Sequence, residues 1–255
     1  MKVFRKYVRR FLGALKLHGA TIMSVKDADP RDVYIAQVVS GKTFMDVGGL
    51  WGTVNEKVTV AAKAGAATTA MLDIQSLDHP LWQAFRERCA RMAVSGCQLI
   101  SASIDEPGLE NEVGQFDVVH CSGLVYHCPN PLYTLTQLAR LTRKYLILTT
   151  TVIPSTVTNS KGTITVPPGA ALFLAYLPHR QVEILKEHWE AGGVFPAVGI
   201  TEQPHVWEVH DYGAWWWLFP VPTVRQLIMA AGFDLVEDRP LWGDKAQTFM
   251  ACKRK

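Results

Sequence analysis

The sequence has no CxxC pair. Its five cysteines, Cys89, Cys97, Cys121, Cys128 and Cys252, are too widely spaced for a zinc ribbon or a dithiol redox centre. Their odd number, in a chain of 255 residues, also argues against a disulfide framework and predicts free thiols in a reducing, cytoplasmic setting. No apolar run approaches the length of a membrane span. Residues 1–17 space Val3, Phe4, Tyr7, Val8, Phe11, Leu12 and Leu15 as a helix does, but Lys2, Arg5, Lys6, Arg9, Arg10 and Lys16 interrupt them. A secretory signal needs an unbroken apolar stretch, so the segment reads as a basic amphipathic helix packed on its own domain. An excess of one charge is missing too: 26 basic against 23 acidic residues make no demand for a nucleic-acid or acidic partner. Internal repeats and low-complexity tracts are absent.

What is present is an apolar fraction of 48%, enough for one large α/β domain over residues 1–255. Residues 1–40 read as an N-terminal helical segment. From there, strand and helix patterns alternate. Strands are expected at 43–47, 68–74, 97–104, 116–121 and 145–151. Helices are expected at 53–64, at 80–94 with Asp78 as N-cap, and at 131–142 with Asn130 as N-cap. Such alternation predicts a parallel sheet with helices on both faces. Right-handed crossovers gather the strand C-termini on one edge, where ligands bind. Asp46, Asp73, Asp105 and Cys121 all fall at strand ends on that edge.

After Val152 the alternation stops. Residues 152–220 hold many Pro, Gly, Thr, His and Trp without a clear period, and a structureless loop of that length is unusual in a compact domain. The segment reads as an insertion or cap with its own short elements, including a helix at 181–190. A helix at 224–231 follows, then two strands, 233–241 and 246–253. Their short link predicts an antiparallel pair closing the sheet.

The strongest motif is Asp46-Val47-Gly48-Gly49-Leu50-Trp51-Gly52, set between a strand and a helix. Glycines free the turn's dihedrals and let a ligand approach the backbone. No register gives the i, i+2, i+5 glycines of a dinucleotide fingerprint, and there is no Walker lysine. The turn therefore does not read as a pyrophosphate cradle. Asp73, about twenty residues further on, stands where a carboxylate can accept both hydroxyls of a ribose. Asp105, after the third strand, can accept from an adenine amino group.

In this order the motifs resemble the class I S-adenosylmethionine-dependent methyltransferases. Asp46–Gly52 is similar to their motif I, with Leu50 where a middle glycine is usual. Asp73 matches the family's ribose-binding acid and Asp105 its adenine-side acid. Leu124-Val125-Tyr126-His127-Cys128-Pro129-Asn130-Pro131 resembles the segment that follows the family's fourth strand. The likeness spans 43–151 and 223–254. It implies a Rossmann-like methyltransferase fold: a mostly parallel seven-stranded sheet with a reversed final strand and a cap insertion before the last helix. It implies S-adenosylmethionine as cofactor, held by Asp46, Gly48, Gly49, Leu50, Gly52, Asp73 with Ile74, Asp105 and Cys121.

The methyl acceptor is expected on the cap side. His127 is a candidate base because histidine titrates near neutrality. His210, in Trp207-Glu208-Val209-His210-Asp211-Tyr212, is a second. No metal site is expected. His120, inside its strand, reads as a core residue. Tyr126, Trp207, Tyr212 and Trp215 are candidate walls of a pocket for a small organic acceptor, aromatic or glycosylated, methylated on O, N or C. The Trp215-Trp216-Trp217 run can equally form the cap's own core. Two further readings keep the fold: an RNA or tRNA base methyltransferase, with the basic first helix on phosphates, and a cofactor- or partner-binding protein without catalysis.

Overall fold

A computed structural model describes residues 28–50, 56–191, 215–243 and 245–255. The elements in chain order begin with α1 (Pro30–Val38), β1 (Thr43–Val47), α2 (Val58–Lys63), β2 (Thr68–Asp73), α3 (Pro80–Arg91) and β3 (Gln98–Ser101). They continue with α4 (Leu109–Val113), β4 (Phe116–Ser122), α5 (Pro131–Leu141) and β5 (Thr142–Thr151). The cap contributes β6 (Thr156–Asn159), β7 (Gly162–Thr165), β8 (Leu172–Phe173), α6 (His179–Glu190) and β9 (Trp217–Leu218). The chain closes with α7 (Val221–Ala230), β10 (Phe233–Leu241) and β11 (Ala246–Lys253).

Seven strands form one sheet in the order β10-β11-β5-β4-β1-β2-β3. β1 is parallel to β2 and β4, and β4 to β5, whereas β11 runs antiparallel to both of its neighbours. This is the expected sheet with its reversed final strand. Strand order reverses between β1 and β4, so the ligand-binding crevice is expected outside their C-terminal ends.

Each strand's alternate residues feed opposite layers. On one face Met45, Val47, Val119, Cys121, Leu146 and Leu148 pack with Leu135 and Leu138 of α5 and with Val224 and Ile228 of α7. On the other, Phe44, Val118 and Ile147 meet Tyr34, Ile35 and Val38 of α1. A third cluster sets Leu50 and Met71 against Trp82, Phe85 and Cys89 of α3. The cap has its own core of Ile153, Val157, Ile164, Val166, Val182, Leu185, Trp189 and Trp215. Residues 152–190 and 215–220 are thus a folded insertion, with hairpin β6–β7 lying on α6 through Asn159 Nδ2, which donates to the Ile184 carbonyl at 2.8 Å.

Several boundaries differ from expectation. The N-cap of α3 is His79, whose Nδ1 accepts the Leu81 N–H at 3.3 Å, not Asp78, which instead takes the Ser76 hydroxyl. That helix ends at Arg91, short of 94. α2 starts at Val58, five residues later than the pattern suggests. α7 starts at Val221, ahead of 224, because a proline in the first turn loses no hydrogen bond. β5 extends back to Thr142 although Arg143 and Lys144 are charged, since that end of the strand is exposed. The expected helix at 1–17 lies outside the described residues.

Candidate functional site

β1, β2 and β4 bring Val47, Leu72 and Cys121 into one register row, so the turns that follow these strands share one edge. Asp46 is the penultimate residue of β1 and is fully enclosed. Its Oδ2 accepts the Lys57 N–H at 2.7 Å and its Oδ1 lies 2.7 Å from His120 Nδ1. Gly48 takes a φ of +74°, and its N–H donates to the Leu72 carbonyl at 2.8 Å. Gly49 lies directly on the Asp46 carboxylate: a Cβ there would stand 2.5 Å from Oδ2 and 2.8 Å from Met71 Cε. Leu50, which replaces the usual glycine, is completely buried against Val58, Met71 and Trp82. The turn is therefore anchored by an apolar side chain as well as by backbone conformation. Gly52 lies outside the described residues.

Asp73, at the end of β2, is 2% exposed. Its Oδ1 accepts the Gln75 N–H at 3.1 Å, while its Oδ2 is buried without a hydrogen-bond partner among the described residues. Burial raises the carboxyl pKa; the N–H groups of Gln75, Leu50 and Ile74 oppose the rise, and the Asp46 charge adds to it. Ile74 follows, half-buried, in the bend after the strand. Asp105 repeats the arrangement: Oδ1 is buried and unpartnered among the described residues, and burial raises the pKa against the opposing Thr134 hydroxyl. An acceptor oxygen left bare inside a protein costs free energy that a ligand's N–H or O–H donor recovers. Cys121 faces the α5 layer, fully buried, with its thiol pKa pushed well up by desolvation. It offers packing there, not a thiolate.

After β4, Gly123 takes a φ of +76° and the chain enters a tight turn, Val125–His127. Leu124 reaches back to within 3.5 Å of a Cβ built on Gly48, so the two ligand-side turns touch. The Tyr126 hydroxyl lies over Gly123, and burial pushes its pKa up. The Tyr126 ring packs on His127 at 4.3 Å and edge-on against Trp215 at 5.0 Å. Trp215 meets Trp189 of α6 at 5.4 Å. Tyr126, His127 and Trp215 are thus brought together where the cap meets the β4 turn, with Trp215 mostly sunk in the cap core. His210, Trp207 and Tyr212 lie outside the described residues.

Three groups escaped sequence reasoning. His120 is not a simple core residue but the partner of Asp46. Arg31, 3% exposed on α1, donates to Ser122 Oγ at 3.2 Å, pairs with Asp29 at 2.6 Å and stacks on Trp242. Lys57 pairs with Asp29 at 3.1 Å and Asp32 at 2.5 Å. Arg31 and Lys57 hold the Asp29 carboxyl below its ordinary range although burial works the other way. These contacts pin the start of α1 to the end of β4 and to the residue that precedes α2. They join residues far apart in sequence, so no local pattern signals them. Among the described residues, no cluster of three His, Cys, Asp or Glu side chains has metal-ligand geometry.

No protein-family model matches the chain, and no curated protein matches it in sequence. Solved structures do match. A putative methyltransferase from Bacillus halodurans C-125 superposes with a TM-score of 0.58 at 12% identity, covering 89% of this chain and 98% of that one. Magnesium protoporphyrin IX methyltransferase from Synechocystis PCC 6803, solved with bound SAH, gives 0.51 at 15% identity, over 99% of this chain and 98% of its own. The chain has the Rossmann-like methyltransferase fold. A methyltransferase fold does not dictate methyl transfer, however: the [4+2]-cyclase SpnF also matches, with a TM-score of 0.53 at 11% identity over 90% of this chain and 82% of its own. Function must come from the site.

Proposed function

We propose that the protein binds S-adenosylmethionine and transfers its methyl group to a small organic acceptor. The observation that carries this reading is the pair of bare, buried acceptors Asp73 Oδ2, at the end of β2, and Asp105 Oδ1, in the turn four residues beyond the end of β3, beside a glycine turn without dinucleotide spacing. Asp73 suits the two ribose hydroxyls and Asp105 an adenine amino group, each supplying the donor that the carboxylate lacks. Gly48 and Gly49, with half-buried Ile74, leave backbone and some apolar surface for the rest of the molecule, while the buried side chains of Leu50 and Cys121 would support that wall from behind. When bound, the cofactor supplies an activated methyl on a sulfonium.

The chain's own task is then to bind, orient and exclude water. Tyr126, His127 and Trp215 stand where the cap closes over the β4 turn, which suits an acceptor with an apolar or aromatic face. His127 is assigned as the base for acceptors that must lose a proton. Trp207, Tyr212 and His210 belong to the same proposed acceptor side. No helix among the described residues is long and apolar enough to cross a membrane. Incubation with methyl-labelled S-adenosylmethionine and cell extract separated into small-molecule and RNA fractions tests the reading. Label in the small-molecule fraction supports it. Label in RNA replaces the acceptor class, and turnover of neither, as a cyclase-like use of the fold would give, removes methyl transfer.

A further inference from the structure

We infer that His120 is a positioning residue: it holds Asp46 as a buried anionic floor under the glycine turn and so preorganises the turn for the methyl donor. The inference rests on the proposed function and deepens it.

The geometry is specific. His120 and Asp46 are each about 1% exposed in their side chains, on adjacent strands and in direct register. An ionised carboxylate only accepts, so His120 Nδ1 carries the proton in their 2.7 Å contact. Nε2 is buried with no partner among the described residues. The Nδ1–H is therefore the ring's one directed polar contact among those residues, and the Phe44 ring lies nearly parallel to the imidazole at 6.5 Å and 19°. With Oδ1 held, Oδ2 faces the loop. It accepts the Lys57 N–H at 2.7 Å, tying the residue that precedes α2 to β1. Gly49 rests on that oxygen with no room for a Cβ.

Two anchors thus fix the turn: Leu50 in the apolar core and Lys57 on Asp46. The second exists only while the carboxylate keeps one rotamer, which is what the histidine enforces. The histidine does this from the neighbouring strand and leaves the second carboxylate oxygen for the glycine turn and the Lys57 N–H. His120 acts through Asp46 and needs no contact with donor or acceptor.

The test compares His120→Asn with His120→Leu by calorimetric titration of S-adenosylhomocysteine, with a melting curve for each protein. The asparagine amide nitrogen stands close to where Nδ1 stands and still donates to Asp46; leucine fills the space and donates nothing. The inference expects the asparagine variant to bind within about threefold of wild type and the leucine variant to lose about tenfold or more, whatever the order of their melting temperatures. Equal affinity of the two folded variants, or affinity that simply follows melting temperature, overturns it. Should the leucine variant not fold, hydrogen exchange on wild type decides. The Lys57 amide must exchange slowly and slow further with ligand; exchange at the rate of an open loop amide overturns the inference. Wild-type protein that binds no S-adenosylhomocysteine refutes the proposed function instead, a result separable from any difference between variants.

Discussion

Replacing Asp73 with asparagine separates what the carboxylate does for a ligand from what it costs the free protein. Asp73 is 2% exposed, with Oδ1 satisfied by the Gln75 N–H and Oδ2 bare among the described residues. Its folded pKa is raised by burial. The sign follows: a carboxyl whose pKa is higher folded than unfolded stabilises the fold below the ordinary carboxylate range, and that contribution is lost as pH rises through the folded value. Near neutral pH the charge is a net cost. The Asp73→Asn variant keeps the acceptor for Gln75 and removes the charge, so stability should hold or rise by up to about 1 kcal/mol, roughly 2–4 °C in Tm. Ligand binding should move the other way. Charge-assisted hydrogen bonds from ribose hydroxyls are worth roughly 1.5–3 kcal/mol, so losing one weakens S-adenosylhomocysteine binding roughly 10- to 150-fold. Calorimetry reads the affinity and a melting curve the stability. A variant that melts lower while binding normally would refute the reasoning, because it would make Asp73 a structural residue and leave the ribose elsewhere.

Other expectations follow from the same geometry. Ligand hydroxyls and amino groups favour ionised Asp73 and Asp105, so S-adenosylhomocysteine affinity should climb as pH rises through their raised free-state values and then level off; titrations across the acidic range check this, and affinity falling with rising pH would contradict it. Gly49→Ala should cost about 1–3 kcal/mol of stability, because its Cβ meets an Asp46 carboxylate that cannot turn away, as a denaturant titration would show. Trp215→Ala should cost about 3–5 kcal/mol through the cavity left between Tyr126 and Trp189; a near-neutral effect would mean that Trp215 is not part of the cap core. His127→Ala should leave cofactor affinity intact and slow methyl transfer once an acceptor is in hand; an unchanged rate excludes it as the base.

The sheet was legible because its signal is local. Strands 43–47, 233–241 and 246–253 are short segments set between turn residues, and the structure keeps their bounds unchanged. The edge proposed for the cofactor was legible for a related reason: in a parallel sheet, strand ends share an edge, so topology groups Asp46, Asp73 and the turn that carries Asp105. The cap resisted reading because its order comes from distant pairs. Leu172 and Phe173 find their strand partners at Leu218 and Trp217, across more than forty residues, and such short strands have no period to detect. Helix α4, only five residues long, is equally silent. His120 was read as core because one strand reveals only which face a residue takes. That Asp46 stands beside it on that face depends on β1 pairing with β4, a fact of the sheet and not of either segment.

The measurement that bears most directly on the account is a calorimetric titration of the wild-type protein with S-adenosylmethionine, S-adenosylhomocysteine and NAD under one set of conditions. Saturable binding of the first two and none of NAD is the predicted result. Binding of NAD with neither adenosyl sulfur compound would contradict the account, since it would give the bare oxygens of Asp73 and Asp105 to a different ligand.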